Sequence, residues 1–272
     1  MTFDHAVVNV MGRMDEAAER YRRLGFTLTP RGYHTLGSIN HLAVFADTYL
    51  ELLGYAPGER AKRAEMWEHP AGLTGLALRT GDAAALHADL QRRGVPVEPC
   101  KDFSRPVAID GQERTARFRT FQIDRRAVAN GRIFFCQHDT PELIWRRQWQ
   151  SHANGATGIA GIVVACEAPD QLTGLLAAVP GIAAGGALRA GRTALRLVRP
   201  ADLPGLLPGA PALPDLAGGV MRMVALDLFT ASTRASAAFL EAQGISFASD
   251  AGGLTLSPKT ALGLVLRFVP EA

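Results

Sequence analysis

The sequence predicts an α+β protein made of four βαβββ units joined as two pairs. Three observations carry that prediction. INHLAVFADTYLELLG (residues 39–54) holds two runs of Val, Ile, Leu, Phe and Tyr around Ala46-Asp47-Thr48, which reads as strand, tight turn, strand. YRRLGFTL (21–28) and LQRRGVPV (90–97) both end a helix on glycine and open a strand, so the plan recurs within the first half. Near the C-terminus, STRASAAFLEAQG (232–244) is again a helix stopped by glycine.

Taken in order, FDHAVVNV (3–10) alternates as a strand, with His5 near its start. MDEAAERYRRLG follows as an amphipathic helix. Met14, Ala17, Ala18, Tyr21 and Leu24 fall at helical spacing, acids occupy the first turn, arginines the last, and Gly25 ends it. Phe26 to Thr29 resumes as a strand, Arg31 to Ser38 is a loop, and the 39–54 hairpin closes the unit. The second unit runs through LTGLALR (73–79), a helix from an Asp82 cap to Gly94, and the strand VPVEP (95–99). A long insertion (101–109), a turn at Asp110-Gly111, and the strands RTARFRTFQI (114–123) and RIFFCQH (132–138) complete it.

DTPELIWRRQWQSHANGA (139–156) breaks the pattern with a proline, two tryptophans and an Asn-Gly step. It reads as the junction between two domains, 1–150 and 151–272. A degenerate third unit runs through GIAGIVVAC (158–166), PDQLTGLLAAVPG (169–181) and TALRLVRP (193–200), and then a connector without regular structure at 204–214. The fourth is clearer: MVALDLF (223–229), the helix at 232–244, ISFA, GLTLS and LGLVLRFV (262–269).

With 47% hydrophobic and 20% charged residues over 272 positions, the chain has the profile of a globular protein able to build full cores. No apolar run is long enough to span a bilayer, and a cytoplasmic location is the default expectation. Cys100, Cys136 and Cys166 are widely spaced and form neither a disulfide framework nor a zinc pattern. Basic residues crowd the stretch from Arg92 to Arg147 but lack interleaved aromatics or a nucleic-acid module. The expected partner is therefore an anionic small molecule or plain solvent, not nucleic acid or membrane, and the sequence does not choose between monomer and homodimer.

Glu51 draws attention because Tyr49, Glu51 and Leu53 share one face of their strand while Leu50 and Leu52 take the other, and neither face looks wet. A lone carboxylate in such surroundings needs a cation, a hydrogen-bond set or a proton. The plain alternative is an edge-strand glutamate open to water.

With FDHAVVNV, the helix ending RRLGF and the hairpin closing on YLELLG in view, the chain resembles the vicinal oxygen chelate superfamily, and its first half is most similar to the glyoxalase-like domain branch. The resemblance implies tandem glyoxalase/extradiol-dioxygenase-like domains with curled mixed sheets, and a divalent metal held by first and last strands. Carried over by position, the implied ligands are His5, Glu51 and His138, with Gly75 standing where a further ligand would fall and Glu142 a weaker candidate. Two imidazoles and a carboxylate suit iron, manganese, nickel, cobalt or zinc. Asn40 is expected inside the cup with His41 opposite it, and His34 lies in the loop before them. His69 and His87 are expected to be solvated and His152 to be structural. The second half offers no histidine and only Asp227 as an acid at the matching places, so it supports the first half or forms an interface.

Two functions follow. One is a metal-dependent lyase, isomerase or dioxygenase acting on a small oxygen-rich substrate. In it Glu51 and Tyr49 are catalytic, Asn40 and Trp145 contact substrate, and Arg117 and Arg119 clamp a carboxylate. The other is a metal-free small-molecule binding or sequestration protein with Trp67, Trp145 and Trp149 lining the cup.

Overall fold

A computed structural model describes residues 1–109, 111–183, 187–208 and 221–271. The first half runs β1 (Thr2–Met11), α1 (Met14–Arg23), β2 (Gly32–Tyr33), β3 (Ile39–Val44), β4 (Tyr49–Gly54), β5 (Gly72–Arg79), α2 (Ala83–Arg92), β6 (Lys101–Ile109), β7 (Gln112–Gln122) and β8 (Arg132–His138). Its strands form one sheet in the order β2-β3-β4-β1-β5-β8-β7-β6. Each unit folds its last strand back beside its first, β4 parallel to β1 and β8 parallel to β5, and the antiparallel pair β1–β5 joins the two units.

The second half runs β9 (Ala156–Ala165), α3 (Pro169–Ala177), β10 (Leu188–Ala190), β11 (Thr193–Val198), α4 (Leu203–Leu206), β12 (Arg222–Thr230), α5 (Thr233–Ala242), β13 (Ala248–Asp250), β14 (Gly253–Leu256) and β15 (Val265–Pro270). Its sheet, β10-β11-β9-β12-β15-β14-β13, repeats the plan about the β9–β12 pair. This is the α+β architecture of tandem curled mixed sheets. Among the described residues no helix is long and apolar enough to cross a membrane.

Local sequence explains the helices. α1 has Asp15 and Glu16 in its first turn and Arg20, Arg22 and Arg23 in its last, so both ends of its dipole are complemented. Asp82 caps α2 by accepting from Ala85 N–H at 2.9 Å, and Ser232 caps α5 through Ala235 N–H at 3.2 Å. Gly25 leaves α1 at φ +88°, and a Cβ there would stand 2.8 Å from the Asn154 backbone nitrogen. Asn154 donates in turn to the Leu24 carbonyl at 2.8 Å, so the junction between halves locks onto the end of α1.

The two halves share one apolar core. Val8, Leu50, Leu76 and Phe135 of the first sheet and Ile162, Leu226 and Phe268 of the second belong to a single buried cluster with the helices. Burying each such Leu or Phe is worth roughly 1.5–3 kcal/mol. The opposite face of the first sheet is the concave one. Its two edges meet: Thr35 N–H donates to Ser104 C=O at 2.9 Å, and Ser104 N–H to Thr35 Oγ1 at 3.2 Å. The sheet thereby curls almost into a barrel around a cavity.

Some segments differ from expectation. Phe26 to Thr29 forms no strand, and VPVEP contributes only a bridge from Val97 to Ile123. The insertion at 101–109 is the edge strand β6, where Pro106 is tolerated because an edge strand has one unpaired side. The connector after Arg199 begins with helical turns at Pro200–Asp202 and Leu203–Leu206; residues 209–214 of it, like Asp110 of the predicted turn, lie outside the described residues.

Candidate functional site

The cavity of the first sheet is lined by His5 of β1, Asn40 of β3, Tyr49 and Glu51 of β4, and Arg132, Phe134 and Cys136 of β8, the alternate residues of those strands. Glu51 is only 7% exposed. Asn40 Nδ2 donates to its Oε1 at 2.6 Å, and His5 Nε2 faces its Oε2 at 3.8 Å. Asn40 is itself fixed by His34, whose Nε2 lies 3.1 Å from Nδ2 and whose Nδ1 lies 2.7 Å from Ser38 Oγ. Asn40 Oδ1 is buried and has no partner. Tyr49 stacks flat on His5, ring centroids 4.2 Å apart. Burial pushes its phenol well above the usual range, so it remains a hydroxyl and a donor.

Behind His5 stands a residue that the sequence reading passed over. The β1–β5 register slips between Phe3 and His5, a bulge that turns Asp4 to the same side as His5. The Asp4 carboxylate is fully buried. It accepts from His5 Nδ1 at 2.6 Å, His138 Nε2 at 3.0 Å and Arg79 Nε at 2.7 Å. Burial alone would raise its pKa; the charge of His138 and the hydrogen bonds of both imidazoles outweigh burial and hold it far below the usual carboxylate range. The Arg79 guanidinium also lies 4.1 Å over the Trp145 ring.

The expected ligands therefore meet in pairs rather than as a trio. His5 faces Glu51, while His138 turns to Asp4. Among the described residues, the set of three donor atoms lying within 4.8 Å of one another is Asp4, Cys136 and His138. In that set Asp4 is already occupied by two imidazoles and a guanidinium, and burial pushes the Cys136 thiol well up, which keeps it protonated. Gly75 pairs with Val7, whose Cβ would stand 2.6 Å from any Cβ at residue 75, so the close seam itself rules out a ligand there.

Other residues lie elsewhere than expected. Arg117 is exposed and Arg119 pairs with Asp102 at 2.6 Å; neither lines the cavity, because β7 turns Phe118 and Thr120 inward. The cationic wall comes instead from Arg105 of β6, Arg132 of β8 and Arg63. Trp145 packs edge-on to Tyr49 and His138 behind the lining, and Trp67 and Trp149 are core residues, so no tryptophan lines the described cavity. Glu142 is exposed on the surface. His69 lines the cavity and His87 packs on Phe121, so neither is simply solvated. His41 does lie opposite Asn40, donating from Nδ1 to Thr29 C=O at 2.7 Å. In the second sheet, buried Asp227 is held by Arg196 at 2.5 Å and Arg267 at 3.7 Å.

A histidine, an amide and a carboxylate on the inner wall of a sheet built from paired βαβββ units define a protein of the vicinal oxygen chelate fold. The model of the Glyoxalase-like domain family matches residues 3–179, and the chain belongs to that family. Comparison with curated proteins finds no match. Among solved structures, the chain is similar to a hypothetical protein from Staphylococcus aureus, with 15% identity, TM-score 0.66 and 99% of each chain covered. It is also similar to a mutant of 4-hydroxymandelate synthase from Streptomyces coelicolor, with 12% identity, TM-score 0.57, and 92% and 77% of the two chains covered. A fusion of a xylose isomerase-like TIM barrel with a 4-hydroxyphenylpyruvate dioxygenase is matched at 13% identity and TM-score 0.55, over 99% of this chain and 48% of that one. These likenesses establish the fold.

Proposed function

We propose that the chain is an enzyme of the lyase, isomerase or dioxygenase type that acts on a small oxygen-rich molecule in the first cup, assisted by a divalent metal ion. The observation that carries this reading is His5 Nε2 facing Glu51 Oε2 at 3.8 Å. Ionised Asp4 can only accept, so in the neutral ring the proton of His5 sits on Nδ1 and the lone pair at Nε2, toward Glu51. Two facing acceptors fit a cation between them, and a carboxylate behind an imidazole is the common support for a metal ligand. His5 and Glu51 would hold the ion, whether iron, manganese, nickel, cobalt or zinc, leaving other positions to water and substrate. His138, the third residue of the expected set, would act through Asp4. A bound ion would polarise a substrate oxygen as a Lewis acid.

The chain's own groups supply the rest. Asn40 donates to Oε1 of Glu51, which fixes the carboxylate with Oε2 turned toward His5 and the ion. Tyr49 holds the His5 ring by stacking and offers its hydroxyl to a substrate oxygen. A metal-free sequestration protein with a tryptophan-lined cup is the lesser reading, because the aromatic walls are phenylalanines and Tyr49. Protein purified without chelator is expected to carry near-stoichiometric metal by mass spectrometry, and Glu51→Gln and His5→Ala to lose most of it. Equally low metal in all three proteins removes the ion from the reading.

A further inference from the structure

We infer that the substrate is an acid whose carboxylate or phosphate docks on Arg105 and Arg132, leaving its other end at Glu51. The inference rests on the functional reading above for which end reacts, but the anion site stands on its own observations.

Arg105 is 3% exposed and lines the cavity, yet no hydrogen bond or ion pair is made by its guanidinium among the described residues. Tyr49 and Glu51 are near enough to favour its charge, but burial outweighs them, and a buried charge without a hydrogen-bonded partner is costly and ordinarily paired. Arg132 lines the same cavity, packed 4.7 Å over the Phe134 ring, and likewise has no acid on it. Arg63 adds a third charge, donating to Ser38 Oγ at 3.0 Å and standing 4.0 Å from Glu65. Against these stands Glu51 as the one buried acid in the lining; Glu65 and Glu68 are exposed, and Glu98 is paired with Arg125.

The three guanidiniums line the same cavity as His34. After burial, the charges of Arg105, Arg63 and Arg132 are among the causes that hold His34 well below the usual imidazole range. Burial and the neighbouring Arg63 push Arg132 down to about 9, which still leaves it charged at neutral pH. The backbone makes room for this cluster. A Cβ on Gly32 would fall 2.3 Å from Asn40 Oδ1 and 3.0 Å from Arg105 Nη1. The stacked pair Phe103–Phe118 and the Phe134 ring add apolar surface to the same cavity for a short body. Two guanidinium forks facing one cavity are the arrangement that binds planar or tetrahedral oxyanions bidentately.

The test is thermal unfolding and calorimetric titration with inorganic phosphate and with succinate, on wild type, Arg105→Met, Arg132→Met, Glu51→Gln and the surface control Arg119→Met. Wild type and Arg119→Met are expected to show a saturable rise in midpoint with at least one anion; the tighter of the two identifies phosphate or carboxylate as the docking group. Arg105→Met and Arg132→Met are expected to bind that anion at least tenfold more weakly. In anion-free buffer Arg105→Met is expected to unfold at a higher temperature than wild type, because a binding charge without its ligand destabilises the fold. Glu51→Gln is expected to keep anion binding or tighten it, so the anion site and the metal reading fail separately. No saturable response in wild type, or unchanged affinity in the two methionine variants, overturns the inference. If Arg105→Met does not fold, Arg132→Met decides alone.

Discussion

Asp4→Asn is expected to be the most damaging single substitution in the first cup. The carboxylate is fully buried and gathers His5, His138 and the Arg79 guanidinium on two oxygens. Asparagine keeps the volume but removes the charge and sets an N–H₂ among donors. Breaking a buried ion pair by removing one partner typically costs about 3–5 kcal/mol, since the remaining charge stays buried without compensation. For a chain of this size that corresponds to a fall in melting midpoint of roughly 10 °C. Asp102→Asn, which removes the exposed partner of Arg119, is the contrast and is expected to leave the midpoint nearly unchanged. Equal midpoints for Asp4→Asn and wild type would mean that Asp4 does not hold the histidines. The same variant loosens the control over the His5 tautomer, so metal content should fall along with stability.

The second large effect is loss of stability in acid through His152. This imidazole, from the junction segment, is buried against the first half, edge-on to Phe26 and Phe45. Its Nδ1 accepts from Thr27 N–H at 3.1 Å, and its Nε2 donates to Val44 C=O at 3.1 Å. Burial pushes its pKa down to about 4, opposed only in part by the Val44 hydrogen bond. Between pH 6.5 and about 4 the unfolded chain binds a proton at this site and the native chain does not. Stability is therefore full above pH 6.5 and falls as the pH drops through that window. At about 1.4 kcal/mol per pH unit, the loss at pH 4 is roughly 3 kcal/mol. His34, also held low by burial, adds to the same slope. His152→Gln, which cannot titrate, is expected to start less stable at pH 7 but to show a shallower fall between pH 6.5 and 4 in urea titrations. An unchanged slope would show that His152 does not contribute to the acid transition.

Several features were legible in the sequence because they depend on local periodicity. The strand at 3–10, the helix ending at Gly25, the 39–54 hairpin and the recurrence of that order need only residue spacing and stop signals. Alternation along YLELLG placed Tyr49 and Glu51 on one face, and both line the cavity. The same alternation placed Asn40 inside and His41 outside. What alternation cannot supply is a bulge. Asp4 would fall on the core side of a regular strand, and only the register slip against β5 brings it beneath His5.

The sequence by itself determined the repeating unit, the family, and the convergence of His5 and Glu51 on one wall, because each follows from short-range pattern within strands that lie side by side. Tertiary structure alone decided which residues complete that wall. Arg105 and Arg132 come from strands distant in sequence and reach the cavity because the eight-stranded sheet curls until Ser104 meets Thr35, while Arg117 and Arg119, one pleat out of step, are left on the outside. Curvature and register are set by contacts far apart in the chain, and a change of one residue in phase sends a side chain to the other face.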